Sequence, residues 1–301
     1  MTSQFGLVCI TNSMEIRYRT ITRTRLLQHA EAVQRELLED IYRHNIEKLA
    51  AALQLCLRER IFLYRIPSSL FPFFDTDLGQ KVMEQFAGEM AAVGQCAIAN
   101  GIRLVTHPDQ FVVLSSDSDN IVANSVRILQ MQADTMDLLL QPRTPWALIE
   151  VHGGKSGRSE RLVASIQRLP DAIRSRLCLE NDEYAYSAQE ILEVCRESGV
   201  PMVFDAHHHV VHESLSSYEH PSIAEMLKLA RATWPEPAHQ VVHISNGKDS
   251  FNDRKHADLI EVMPSAYANA PWIEIEAKFK EDAIRQLRRH DAHSAPLPAA
   301  A

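Results

Sequence analysis

Five imidazoles and three carboxylates, His107, His152, Glu180, Asp205, His208, His243, His256 and Glu276, are spread along the chain, most of them at the end of a short apolar run. The runs read LVTH (104–107), IEVH (149–152), LCLE (177–180), VFDAHH (203–208), VVHIS (241–245) and IEIEAK (273–278). This nitrogen and oxygen donor set exceeds what one ion can use and contains no thiolate. It suits two or three Mn2+, Zn2+ or Fe2+ ions and disfavours a structural zinc site. Asp205 and His208 stand three apart after an apolar run, so one turn can bring both to a single metal. In the same tract, His207, His209 and His212 are expected at the surface or behind the ligands. Sites with several divalent ions hydrolyse phosphate esters, because one ion activates water while another shields the phosphoryl oxygens and the departing alkoxide. Such chemistry needs no side-chain nucleophile, and none is apparent. GGKS (153–156) resembles the end of a phosphate-binding loop, but Ile149 stands where that loop requires its first glycine.

A scaffold must bring these scattered residues to one place. In a (β/α)8 barrel all eight strands end at one face, so residues closing successive strands converge there. The chain carries that alternation. Strand patterns cover 5–10, 61–66, 102–107, 146–152, 177–182, 201–206, 239–245 and 272–278. Helical patterns fall near 28–58, 77–99, 119–140, 158–173, 187–198, 221–233, 256–263 and 280–289. Gly101 and Gly199 read as helix C-caps, and Pro201 opens the sixth strand. The expected fold is a single α/β TIM barrel over 1–290 with the metal cluster at the C-terminal ends of its strands. Residues 291–301 are expected to form a loose tail.

A chain of 301 residues, 46% hydrophobic and 23% charged, suits one large α/β domain. The N-terminus has neither a basic region nor a long apolar stretch, and no run approaches a membrane span, so a cytoplasmic protein without membrane contact is expected. Cys9, Cys56, Cys96, Cys178 and Cys195 form no C-x-x-C pair and read as reduced core residues. The net charge of -8 argues mildly against nucleic-acid binding. A cation cluster would, however, offset carboxylate charge just where a phosphate would sit. Arg17, Arg19, Arg23 and Arg25 alternate after the first strand, with Arg17 and Arg19 pointing the same way. Phosphate contact and a solvated, charged hairpin are both open readings of that segment.

Longer strings resemble one known family. FGLVC (5–9), YRIPSSLFPF (64–73), THPDQF (106–111), EVHGGK (150–155), LENDE (179–183), FDAHHH (204–209), VHIS (242–245), KHAD (255–258) and EAKFKE (276–281) are similar, in order, to those of the UV-damage endonucleases. The resemblance implies an endonuclease IV-like TIM barrel and a three-metal site commonly holding manganese. It further implies cleavage of damaged double-stranded DNA immediately 5' of UV photoproducts and, in many members, abasic sites, starting excision repair. The family's ligands fall on the eight positions chosen above. Gln110 and Phe111 match its lesion probe, in which an amide and an aromatic enter the duplex as damaged nucleotides flip out. Glu180 and Glu276 are placed at the catalytic centre, and Lys278, two residues after Glu276, is expected to contact phosphate. A monomer is expected.

Two positions depart from the pattern of some members: Leu7 replaces a tyrosine, and Val241 replaces a lysine whose carboxylated form bridges metals. By the period of two, Glu150 lies beneath His152 and Glu274 beneath Glu276. Either could supply compensating negative charge near the metals, or Glu150 could pair with Arg65 in a buried layer. Three functions stay open at this point: a metal-dependent repair endonuclease, a sugar isomerase or epimerase on a similar barrel, and a lesion-binding protein without catalysis.

Overall fold

The runs rich in Val, Ile and Leu become parallel strands because such strands are covered on both faces, by helices outside and by packed side chains inside. The computed structural model describes residues 3–108 and 111–294. In it β1 (Gln4–Val8), β2 (Leu63–Ile66), β3 (Arg103–Thr106), β4 (Ile149–His152), β5 (Leu177–Glu180), β6 (Met202–Asp205), β7 (Val241–Ile244) and β8 (Trp272–Ile275) close in sequence order. Every neighbouring pair is parallel. The expected barrel is therefore present. Side chains facing outward, such as Leu7, Tyr64 and Leu104, join the main core between strands and helices. Leu63, Val105, Leu148, Cys178, Val203 and Val241 form a separate cluster with Trp234, and their positions within the strands, or just before β4 for Leu148, assign it to the barrel interior.

The helical layer follows the expected periodicity with local changes. Glu31–Arg58 buries Leu38, Ile41, Tyr42, Leu49 and Leu53 along one stripe and begins later than expected, after a separate turn of helix at Arg23–Leu26. The pattern at 158–173 splits into Ser159–Gln167 and Asp171–Arg174, with Pro170 at the N-cap of the second piece. Ala188–Ser198 starts with a capping box between Ser187 and Glu190 and ends at Gly199, whose φ of +76° suits glycine. Cys9 and Cys96 are only half-buried, whereas Cys56, Cys178 and Cys195 are core residues.

The helix expected at 256–263 is absent. Gly247 bridges His256 antiparallel, and Ala257 N donates to Asn246 O, so the chain after β7 doubles back. The Asn246 side chain then takes the backbone N–H groups of Glu261 and Val262 and donates to the Val262 carbonyl. Those groups are thereby withdrawn from any i to i−4 ladder, and Pro264 follows directly. A helix that was not expected, Ala206–His212, opens directly from β6, with Asp205 as its cap. The final helix runs from Lys280 to Ser294, so the boundary drawn at 290 falls inside it; the remaining tail, 295–301, lies outside the described residues.

The lower end of the barrel is closed by Arg103. Its guanidinium is fully buried and donates to the carbonyls of Trp146 (2.6 Å), Pro145 (2.7 Å) and His239 (2.8 Å). It also lies over the rings of Trp146, Trp234 and Trp272. Burial pulls its pKa down to about 9, which still leaves it charged at neutral pH.

Candidate active site

At the opposite end, the strands deliver their chemistry as the sequence pattern requires. His152, Glu180 and Asp205 are the last residues of β4, β5 and β6, His243 is next to last in β7, and His107 and Glu276 directly follow β3 and β8. His208 arrives from the first turn after β6, where its backbone N–H is held by Asp205 Oδ1 at 2.8 Å. Asn181 fixes this corner: its amide exchanges hydrogen bonds of 3.0 Å with the backbone N–H and carbonyl of Asp205. Seven of the eight expected ligands thus fall into compact donor groups: His107, His152 and Glu180; Glu180, Asp205 and His208; Asp205, His243 and Glu276. The eighth, His256, faces Glu276 Oε2 at 3.7 Å across the loop that its bridge to Gly247 pins. His207 and His209 are buried but turned elsewhere, toward Tyr218 and Ser222 respectively.

The imidazole orientations suit metal ions. His107 Nδ1 donates to the Pro108 carbonyl at 2.9 Å, which leaves its Nε2 lone pair facing Glu180 Oε2 at 3.1 Å. His208 differs, because its Nδ1 lies 2.9 Å from the Asn181 carbonyl and 3.3 Å from Glu180 Oε1. A lone pair and a carboxylate so close together need a cation between them, either a proton or a metal ion. Asp205 Oδ2 and His152 Nδ1 are buried with no hydrogen-bond partner among the described residues, as donors awaiting an acceptor ion would be. Burial alone would lower the pKa of His107, His208 and His243, but Glu180 and the other carboxylates outweigh it and hold all three above the ordinary range. Burial would raise Glu180, yet its histidine neighbours, His243 foremost, hold it well below the usual carboxylate range. The residues present fit a multinuclear divalent centre.

A second carboxylate layer lies beneath. Glu150 and Glu274 are fully buried, and both approach His243 Nε2, at 3.1 and 2.6 Å. Arg65 pairs with Glu274 and with Glu276 (2.7 Å), not with Glu150, so the alternative Glu150–Arg65 pair is not formed. Among the described residues Glu150 has His243 as its charged neighbour and no hydrogen bond to either oxygen. Its pKa moves up, as burial dictates. Room for Glu274 comes from Gly6, where a Cβ would stand 2.7 Å from Leu63 and 3.2 Å from the Glu274 side chain. Val241 belongs to the apolar interior below this layer, and Leu7 packs outward, so neither contributes a polar group.

Above the donors opens a cleft of about 760 Å³, lined by Arg65, His107, His152, Glu180, His208, His256 and Glu276. Phe111 stands at its rim, 71% exposed, where ordinary core packing cannot explain it. Gln110 lies outside the described residues. The structure adds rim residues that the pattern did not single out, Tyr184 and Arg254. Their signal was weak: each is one polar or aromatic residue in an irregular loop. Lys278 is exposed and outside the cleft lining, and its backbone N–H donates to the Ala257 carbonyl. Arg17 donates to the carbonyls of Thr11, Ser13 and Ile16, so it braces its own loop, whereas Arg19 is exposed in a pair with Asp40.

The volume of the cleft falls in the range of ordinary small-molecule pockets, so size alone does not separate a sugar from a nucleotide. Similarity to known proteins does. The family description "UV-endonuclease UvdE" matches residues 3–295. A UV DNA damage endonuclease of Nostoc sp. is 52% identical over 95% of this chain and 89% of its own length. One from Deinococcus radiodurans is 48% identical over 95% of this chain and 94% of its own. Among solved structures, that of SacUVDE superposes with a TM-score of 0.80 at 23% identity, covering 96% of this chain and 99% of the other, which establishes the shared fold. No described helix is long and apolar enough to cross a membrane. The chain belongs to the UV-endonuclease UvdE family and is an endonuclease.

Proposed function

We propose that this protein is a metal-dependent DNA repair endonuclease that nicks the backbone on the 5' side of UV photoproducts, with abasic sites as further substrates. The observation that carries the reading is Glu180. It lies within 3.5 Å of nitrogens of His107, His152, His208 and His243 at the base of an open cleft with an exposed aromatic at its rim. Divalent ions, manganese in the first instance, would be held by His107, His152, Glu180, Asp205, His208, His243, His256 and Glu276. When bound there they supply Lewis acidity for phosphodiester hydrolysis.

The chain's own residues supply the rest. Asn181 and the Pro108 carbonyl hold His208 and His107 in fixed orientation, so little reorganisation is needed as charge develops on the phosphate. Arg65 ties Glu276 to the barrel wall. Phe111, with Gln110, enters the duplex and replaces the stacking lost when damaged nucleotides leave it, a step that costs least where the lesion has already weakened stacking. Lys278 and Arg19 meet backbone phosphates outside the cleft. Nicking of irradiated against unirradiated plasmid, with Mn2+ or with EDTA, tests the reading. The expected result is nicks in irradiated DNA only, lost in EDTA, with 3'-hydroxyl and 5'-phosphate ends. Equal nicking of both plasmids would remove the lesion specificity, and binding without nicking would leave a lesion-binding protein.

A further inference from the structure

The mouth of the cleft holds an aromatic and a cation that the reading above does not use. Tyr184, on the loop after β5, is 58% exposed, and the Arg254 guanidinium lies 3.8 Å from its ring centroid. Both residues line the same cleft as Phe111. The loop of Tyr184 is built to display it. Asp182 Oδ1 accepts the backbone N–H groups of Tyr184 (2.8 Å), Ala185 (2.5 Å) and Tyr186 (3.3 Å), which locks the turn. Arg254 stands on an equally fixed hairpin. Its neighbour Asp253 accepts from the backbone of Asp249 and Lys255, each at 3.1 Å, and Lys248 pairs with Lys255 across the turn. Among the described residues Arg254 has an ion pair only with Glu183, at 3.9 Å, whereas its guanidinium lies 3.8 Å from the Tyr184 ring centroid.

Placement in the barrel gives the pair its meaning. Phe111 follows β3 and Arg254 follows β7, and in a closed barrel of eight strands in sequence order these lie half a turn apart. Tyr184, after β5, lies between them and reaches the Arg254 side. The two rigid loops therefore present an aromatic face backed by a fixed charge on the wall across from Phe111. A preorganised ring of this kind is a stacking surface for a base, and the adjacent guanidinium suits the phosphate attached to it.

Resting on the endonuclease reading, we propose that Tyr184, stacked on Arg254, is a second lesion-contacting jaw: it receives the base of an extruded nucleotide while Phe111 fills the gap left in the duplex. Tyr184 is thus a determinant of damage binding, and Arg254 positions its ring. The test compares Tyr184→Ala, Tyr184→Phe and Arg254→Ala in steady-state nicking of a duplex with one defined photoproduct. Equilibrium binding of that duplex and of its undamaged counterpart is measured in parallel in EDTA. Tyr184→Ala is expected to raise KM and to weaken lesion binding by roughly 5- to 100-fold, the range of one lost base stack. It should leave kcat and undamaged-duplex binding within about twofold. Tyr184→Phe keeps the stacking face and should restore wild-type values, and Arg254→Ala should fall between them.

Unchanged lesion binding in Tyr184→Ala, or an equal loss on undamaged DNA, overturns the proposal. Failure of the wild-type protein to nick overturns the endonuclease reading instead. The binding arm in EDTA still reads the jaw in that case, so the two failures are distinguishable.

Discussion

The two ends of the barrel bury charge in opposite ways. At the lower end, Arg103 is a lone cation whose donors are matched by three carbonyls and whose faces are covered by all three tryptophans. At the upper end, Glu150, Glu180, Asp205, Glu274 and Glu276 crowd around imidazoles and one guanidinium, and among the described residues oxygens of Glu150, Asp205 and Glu274 have no hydrogen-bond partner. An unpaired buried polar atom costs of the order of 1–3 kcal/mol, and more when charged. At the lower end each guanidinium nitrogen of Arg103 has a carbonyl acceptor. The upper end instead keeps buried carboxylate oxygens free of hydrogen bonds beside its imidazoles, the donor chemistry that could hold metal ions.

Substitutions can sharpen or break that contrast. Glu180→Gln removes the carboxylate common to two of the donor groups, and both bound metal and nicking should fall, the latter by roughly 10²–10³-fold, comparable to losing one preorganised electrostatic group. Metal analysis alongside plasmid nicking checks this; wild-type activity would remove Glu180 from the centre. Arg103→Met should leave activity per folded molecule intact but cost about 3 kcal/mol of stability, since three buried carbonyls lose their donor. Thermal and denaturant unfolding measure that loss, and an unchanged midpoint would mean that the lower end does not brace the barrel.

Glu150→Gln should act the other way. It removes a fully buried carboxylate that no hydrogen bond satisfies, so the metal-free protein gains stability, while metal affinity falls about tenfold because His243 loses a charged neighbour. Unchanged metal stoichiometry and activity would rule out a role for Glu150 at the centre. The smallest effect is expected for Arg19→Ala, outside both regions. Its exposed pair with Asp40 is weak, and the salt dependence of DNA binding should flatten by about 0.9 in slope if it meets a phosphate.

The eight strand ends and the seven expected ligands that the structure gathers into donor groups were legible because strand register and residue type are local properties. His107, His152 and Glu180 each close a run whose period can be read directly. The hairpin holding His256 was not legible. Its form depends on the Asn246 side chain capturing a backbone fifteen residues away, while the local pattern at 256–263 favours a helix. Tyr184 and Arg254 were missed for a related reason: their contact joins two loops from different strands.

By itself the sequence determined the order of strands and helices, the barrel, the set of donor residues and the likeness to one family, because periodicity and residue chemistry are written along the chain. Only the tertiary structure decided that Arg65 pairs with Glu274 and Glu276 while Glu150 faces His243, and that Tyr184 meets Arg254 at the rim. Those outcomes depend on distances between strands and loops that only barrel closure sets. A buried charge takes whichever partner that geometry brings within reach.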